Sequence, residues 1–194
     1  THTGPTHHRR LPSEERLATV KEKNILKWLC YKENPESLKI ILDLYPFEER
    51  LTAIKETTES AILLYNSARN PQSLQIILEL YPPEERLTAI KESTASGYSV
   101  IYNMTNIPKS LQVIFELLSH EQRLQLITDK DRFGESLLFH AILIPESLKI
   151  ILGYLTPEQK IEVLNEKNIA DLPLLFYASS TPESLKIILE LYPP

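Results

Sequence analysis

Few residues in this chain have the types and spacing needed for chemistry. Asp129-Lys130-Asp131-Arg132-Phe133-Gly134 opens like a calcium loop, with acids at positions 1 and 3 and glycine at position 6. Such a loop needs a bidentate glutamate at position 12. Here Phe133 fills position 5 and His140 fills position 12, so the segment reads as a solvated turn. His120 and Glu121 are adjacent, and on a helix they diverge by about 100°, which makes no acid–base pair. Cys30 is the only cysteine. It excludes an internal disulfide and suits a reducing compartment. A nucleophilic cysteine needs a histidine beside it, and the helical segments around Cys30 carry none. His140 reads as a partly buried or groove-facing side chain. His2, His7 and His8 lie in a polar stretch that reads as an untethered leader. The phosphate-binding, zinc-protease and dithiol motifs are all missing from the sequence. No catalytic residue, metal or cofactor is expected, and the chain is read as not an enzyme.

Composition narrows the classes further. The 194 residues carry a formal net charge of −5, with 42% hydrophobic and 24% charged residues. Nucleic-acid binding rests on clustered Lys and Arg, and no basic stripe is present. No run of 18 apolar residues offers a membrane span, and no apolar core near the start offers a signal peptide. The expected location is cytoplasmic. Four glycines are too few for an all-β fold with many tight turns.

The elements that must position the side chains repeat. Pro35-Glu36-Ser37-Leu38-Lys39-Ile40-Ile41-Leu42 returns from Pro71, Pro108, Pro145 and Pro182, at spacings of 36, 37, 37 and 37 residues. A fixed period in this range marks a stacked array, in which each unit buries its apolar face only against its neighbours. The units read as 12–45, 46–81, 82–118, 119–155 and 156–192, within a single array over 12–194. Residues 1–11 do not fit the repeat and read as a disordered leader or expression remnant.

Each unit reads as three short helices, A, B and C. Helix A opens on segments such as Pro46-Phe47-Glu48-Glu49-Arg50-Leu51. Proline is preorganised for a first helical position, and the acids behind it face the positive end of the helix dipole. Eleven residues ahead of each anchoring proline stand Asn24, Ser60, Gly97, Gly134 and Asp171. These types tolerate a left-handed backbone or cap a helix, so a turn into helix B is expected there. In the fourth unit helix B is expected from near Glu135. Pro173 is tolerable only in the first turn of its helix. Helix C is the proline-anchored block, with Asn34, Asn70 and Thr181 as expected N-caps. Ile107 and Ile144 should give weaker starts. The apolar positions from Leu38 to Tyr45 are too many for one buried face, as in a helix wedged between two neighbours. Tyr-Pro steps end several of these helices, because a residue before proline is pushed out of the α region.

Asp131-Arg132-Phe133-Gly134-Glu135-Ser136-Leu137-Leu138-Phe139-His140-Ala141 resembles the ankyrin-repeat pattern D-x-x-G-x-T-P-L-H-x-A. Asp131, Gly134, Leu138 and Ala141 match, and Ser136 stands for threonine. The third unit keeps Gly97, Ser99 and Ile101, the fifth keeps Leu175 and Ala178, and the first two match poorly. Helix A stands where an ordinary ankyrin repeat would end in a glycine-rich turn. The resemblance implies an all-α, right-handed helical solenoid of about five three-helix ankyrin-like repeats, with a protein as partner. The array is also similar to lengthened ankyrin-like arrays in effector proteins of intracellular bacteria, which implies translocation into a host cell. HEAT- or armadillo-like arrays are the structural rival, since they also use two or three helices per unit.

Units that share packing positions should differ at binding positions. Helix C barely varies. The A–B connectors do, as in Thr57-Thr58-Glu59, Ser93-Thr94-Ala95-Ser96, Lys130-Asp131-Arg132-Phe133 and Lys167-Asn168-Ile169. Connectors on a rigid scaffold commonly carry function. Tyr98, Tyr102, Arg132, Phe133 and His140 are the expected partner-binding residues, because aromatic and Arg side chains make good anchors. Tyr65, Tyr102, Phe139 and Phe176 share one slot, so Tyr102 also reads as a core position. The block from Leu185 to Tyr192 keeps its wide apolar surface, which suggests further repeats or pairing with another chain beyond it. Two other readings stay open: a targeting module of a larger enzyme, and a self-associating structural array.

Overall fold

A computed structural model of the chain describes residues 13–31, 34–57, 60–93 and 99–192. The expected leader, the turn at Gly97, Tyr98 and the side chain of Cys30 lie outside the described residues. What is described is all-helical. The α-helices run in the order α1 (Ser13–Glu22), α2 (Ile25–Tyr31), α3 (Pro35–Leu42), α4 (Arg50–Thr57), α5 (Ser60–Ser67), α6 (Pro71–Leu80), α7 (Pro83–Lys91), α8 (Val100–Met104), α9 (Pro108–Leu117), α10 (His120–Thr128), α11 (Leu137–Ala141), α12 (Pro145–Gly153), α13 (Pro157–Leu164), α14 (Leu174–Ala178) and α15 (Pro182–Leu191). A 3₁₀ turn, Phe47–Glu49, leads into α4. Isolated β-bridges join Ser93 to Ser99 and Lys167 to Pro173, and no strand forms among the described residues. No helix among them is long and apolar enough to cross a membrane.

The caps explain where helices begin. Asn34 Oδ1 accepts from the Ser37 amide at 2.9 Å, and Asn70 Oδ1 accepts from Gln72 and Ser73. Thr181, expected to cap α15, makes no side-chain capping bond. The proline already removes one of the orphan donors of the first turn. Backbone bonding such as Leu185 N–H to Thr181 O then suffices, as it does at Ile107 and Ile144. The strongest caps fall instead on α10 and α13. There Ser119 with Gln122, and Thr156 with Gln159, form reciprocal capping boxes. Glu158 sits in the first turn of α13, where its own backbone amide and the Thr156 hydroxyl hold its carboxyl below the usual range.

Asn24, Gly134 and Asp171 have φ of 51°, 71° and 59°, the left-handed turn expected ahead of helix B. Ser60 departs from this as the first residue of α5. The helix expected from near Glu135 begins at Leu137, because Glu135 is still held in the turn, its carbonyl accepting from the Asp131 amide. Pro173 takes the cap position of α14 and so interrupts no helical bond.

The proline-anchored helices touch one another in chain order: α3 with α6, α6 with α9, α9 with α12, and α12 with α15. The preceding helices do likewise along α2, α5, α8, α11 and α14. Each inner helix therefore has a neighbour on two sides, which accounts for the wide apolar surface. In α9, Leu111, Ile114 and Phe115 are fully buried, and Val113 and Leu117 are partly buried. Buried serines set the register across these contacts. Ser110 Oγ donates to Ala68 O, and Ser147 Oγ donates to Thr105 O at 2.6 Å. Arginines from the next segment close the helix ends. Arg86 donates to the carbonyls of Leu78, Tyr81 and Leu117. Arg50 and Arg123 donate to Tyr45 O and Phe115 O. These orphan carbonyls need donors, and arginine has several in one rigid fork.

Candidate functional site

The connector between α10 and α11 is built around Asp131. Its Oδ1 accepts from the backbone amides of Phe133 at 2.8 Å and Glu135 at 3.0 Å, a turn that Asp and Asn side chains characteristically stabilise. Its Oδ2 lies 2.9 Å from His140 Nε2. The turn closes through Gly134, whose amide donates to Asp131 O. One carboxylate thus fixes both the connector and the histidine on the helix behind it.

His140 also stacks on Tyr102 of α8, with ring centroids 3.8 Å apart and planes 19° from parallel. The two rings form one wall of a cleft of about 460 Å³. Its floor includes Ile101 and Leu126, both buried. Its rim carries the ion pair between Lys91 and Asp129. Arg132 and Phe133 stand at the edge, exposed, with the guanidinium 4.8 Å from the ring centroid. Burial pushes the Tyr102 phenol up to about 12, helped by the negative charges of Asp131, Asp129 and Glu135.

Four of the five expected binding residues therefore meet in one place: Tyr102, Arg132, Phe133 and His140. Tyr98 lies outside the described residues. Tyr102 is neither wholly core nor free, being half-buried against His140. Asp131, Lys91 and Asp129 stand beside them and lie outside the expected binding set. Asp131 had a signal, since Asn168 stands 37 residues on at the equivalent slot. Lys91 and Asp129 are 38 residues apart, and nothing local relates them.

The next connector repeats the geometry with different chemistry. Asn168 Oδ1 accepts from the amides of Ala170 and Leu172, as Asp131 does from Phe133 and Glu135. Its Nδ2 donates to the hydroxyl of Tyr177, which occupies the slot of His140, and to Glu135 Oε1. Tyr177 OH donates to Glu135 Oε1 at 3.2 Å. Partial burial and that carboxylate raise the Tyr177 pKa. The connectors also touch each other, with the Ile169 amide donating to Phe133 O. Phe133 and Ile169 both present exposed apolar side chains there.

Asp131, Glu135 and His140 bring one donor atom each to within 4.8 Å of one another, a grouping that a cation could use. The bonds just described commit them otherwise. Asp131 and His140 lock the turn, and Glu135 holds Asn168 and Tyr177. An Asp–His pair is also two parts of a nucleophile-activating triad. Among the described residues no hydroxyl or thiol is hydrogen-bonded to the His140 ring, and the pair here orients a wall of the cleft. Larger hollows lie between α1, α2 and α4 (about 620 Å³) and between α7 and α10 (about 810 Å³). They are lined mainly by Glu, Lys, Thr and Gln, with Tyr45 their only aromatic residue. No protein-family model, curated protein or solved structure matches this chain.

Proposed function

We propose that this chain is a protein-recognition scaffold. In this reading its helices form a right-handed solenoid of five three-helix, ankyrin-like units, and the cleft between the third and fourth units takes a side chain of a protein partner. The observation that carries it is the convergence on one cleft of Arg132, Phe133 and His140, which vary between units, with Tyr102, whose slot is aromatic in four of them. The cleft has the anatomy of a recognition pocket: an apolar floor, ring walls and a charged rim. Exposed Arg132 and Phe133 are of the types that dominate binding energy at interfaces. The contacts of helix with successive helix in chain order support the array, as does the chain-wide period of the anchoring prolines.

The similarity to effector arrays of intracellular bacteria suggests a partner among the proteins of a host cell. Affinity capture from eukaryotic lysate, alongside an Arg132→Ala/Phe133→Ala control of unchanged helicity, tests the reading. One dominant protein captured by the native chain and lost with the control is expected. Capture that is indifferent to both substitutions would sink it.

A further inference from the structure

The hollow where α1, α2 and α4 meet holds about 620 Å³. Four glutamates line it, Glu22, Glu48, Glu49 and Glu56, against one lysine, Lys21. Glu22 lies 3.6 Å from Lys23. Glu48, Glu49 and Glu56 are exposed and make no ion pair among the described residues.

Surface carboxylates alone do not make a site, and Tyr45 adds an independent observation. It is only 5% exposed, and it lines the hollow. Its hydroxyl has no hydrogen-bond partner among the described residues, yet it is not sealed from solvent as the Ser136 and Ser184 hydroxyls are. Its opening is therefore onto the hollow. A buried tyrosine hydroxyl usually finds a partner, and this one has the hollow from which to take it. Burial, and then the charge of Glu56, raises its pKa.

The next junction shows what such a place accepts. Lys21, Lys55 and Lys91 hold one slot, the lysine of a recurring Arg-Leu-x-x-x-Lys-Glu segment. Lys55 lies 5.0 Å from the Tyr81 ring centroid and 3.3 Å from the Glu85 carboxylate. A cation is thus held between a tyrosine and a glutamate. Tyr45 and Glu49 are the same two residues 36 positions earlier. Lys21 reaches the Tyr45 ring, at 5.4 Å from its centroid, but pairs with no carboxylate among the described residues. The ring face is taken, while the hydroxyl and the glutamates are left. Acids continue beyond the hollow. Glu84, Glu85, Glu121 and Glu158 stand exposed in the first turns of α7, α10 and α13. The arginines behind them, Arg86 and Arg123, are turned to helix-end carbonyls.

We propose that this hollow seats a lysine or arginine side chain from a basic segment of a protein partner. Its N–H groups donate to the carboxylates of Glu49 and Glu56 and to the hydroxyl oxygen of Tyr45. The site is separate from the cleft of Tyr102 and His140, and the proposal does not depend on that cleft.

Fluorescence anisotropy of labelled tetra-arginine and tetra-lysine peptides, titrated with the full chain at low salt, tests it. At least one of the two peptides should bind, and tetra-glutamate should not. Glu49→Gln/Glu56→Gln should weaken binding about five- to tenfold, as expected for two partly screened ion pairs. Tyr45→Phe keeps the ring and every charge, and should weaken it about threefold through one lost hydrogen bond. Glu146→Gln/Glu162→Gln removes two exposed charges outside the hollow and should bind like the native chain. So should Arg132→Ala/Phe133→Ala, which separates this test from that of the cleft, and Arg9→Ser/Arg10→Ser. Circular dichroism confirms native helicity in each variant. Absence of binding to both basic peptides overturns the proposal, as does native affinity in Glu49→Gln/Glu56→Gln or in Tyr45→Phe. An equal loss in Glu146→Gln/Glu162→Gln would reduce the binding to net charge and overturn it. Tighter binding in Arg9→Ser/Arg10→Ser would give the hollow to the chain's own arginines. Arginine amide binding as well as the peptides would make it a small-amine site. Either result overturns the assignment to a partner.

Discussion

Asp131 and His140, nine residues apart in the chain, meet at 2.9 Å through Oδ2 and Nε2. That contact ties the connector tip carrying Arg132 and Phe133 to the helix that forms the cleft wall. Asp131→Ala removes it together with two backbone bonds, and should cost about 2–3 kcal/mol, since bonds to a charged group are the stronger kind. Asp131→Asn should cost less than half as much, because Asn168 already makes the same two amide bonds at its own connector. Urea unfolding of the two variants checks the order. Equal losses would show that the contact with His140, not the amide pair, holds the turn.

Gly134 has φ of 71°, a conformation that other L-residues rarely adopt. A Cβ there would also meet Ile169 Cγ2 at 3.1 Å and the Ile169 amide nitrogen at 3.2 Å. That amide donates to Phe133 O, so it is not free to retreat. Gly134→Ala should destabilise by more than about 1 kcal/mol and loosen the contact between adjacent connectors. Hydrogen exchange at the Ile169 amide, together with thermal unfolding, measures both effects.

Two serines of one motif should respond oppositely. Ser110 Oγ donates to Ala68 O, and Ser110→Ala leaves that carbonyl short of a donor at a cost of about 1–2 kcal/mol. Ser184 Oγ is buried without a partner, and Ser184→Ala should be neutral or stabilising because it removes an unsatisfied group. Chemical denaturation of the pair decides it.

The Tyr102 phenol, with its pKa raised to about 12 from 10.0, makes stability pH-dependent in the alkaline range. Above pH 10 the unfolded chain releases this proton while the folded chain keeps it. The unfolded state then binds fewer protons, and stability falls as pH rises from about 10 to 12. Tyr102→Phe should flatten that slope. Phenolate absorbance near pH 11 should show Tyr102 still protonated in the folded protein. A native-like slope in Tyr102→Phe would assign the effect to other tyrosines, such as Tyr45, whose pKa burial also raises.

Helix type and punctuation were legible because they depend on local chemistry. Asn70 caps α6, Pro173 falls at a cap, and Gly134 and Asp171 adopt the left-handed backbone. Thr181 shows the limit. A capping residue type does not guarantee a capping bond when proline and backbone already satisfy the first turn. The start of α11 at Leu137 was hidden for a similar reason. It depends on the Asp131 amide holding Glu135 in the turn, and helical pattern alone does not report that bond.

The candidate site divides the same way. The aromatic and Arg residue types of Arg132 and Phe133 at the connector tip, and of Tyr102 and His140 on the helices beside it, are sequence properties, and they point to these four side chains. That these four share a cleft with Lys91 and Asp129 is a tertiary fact. Sequence alone determined the period, the helical class and the left-handed turns at Asn24, Gly134 and Asp171, because repeats, caps and left-handed positions act over a few bonds. Only the tertiary structure decided that Tyr102 stacks on His140, and that the carboxylate of Asp131 serves the turn and the histidine together. Those contacts join residues up to 38 positions apart, and their geometry comes from how successive helices pack.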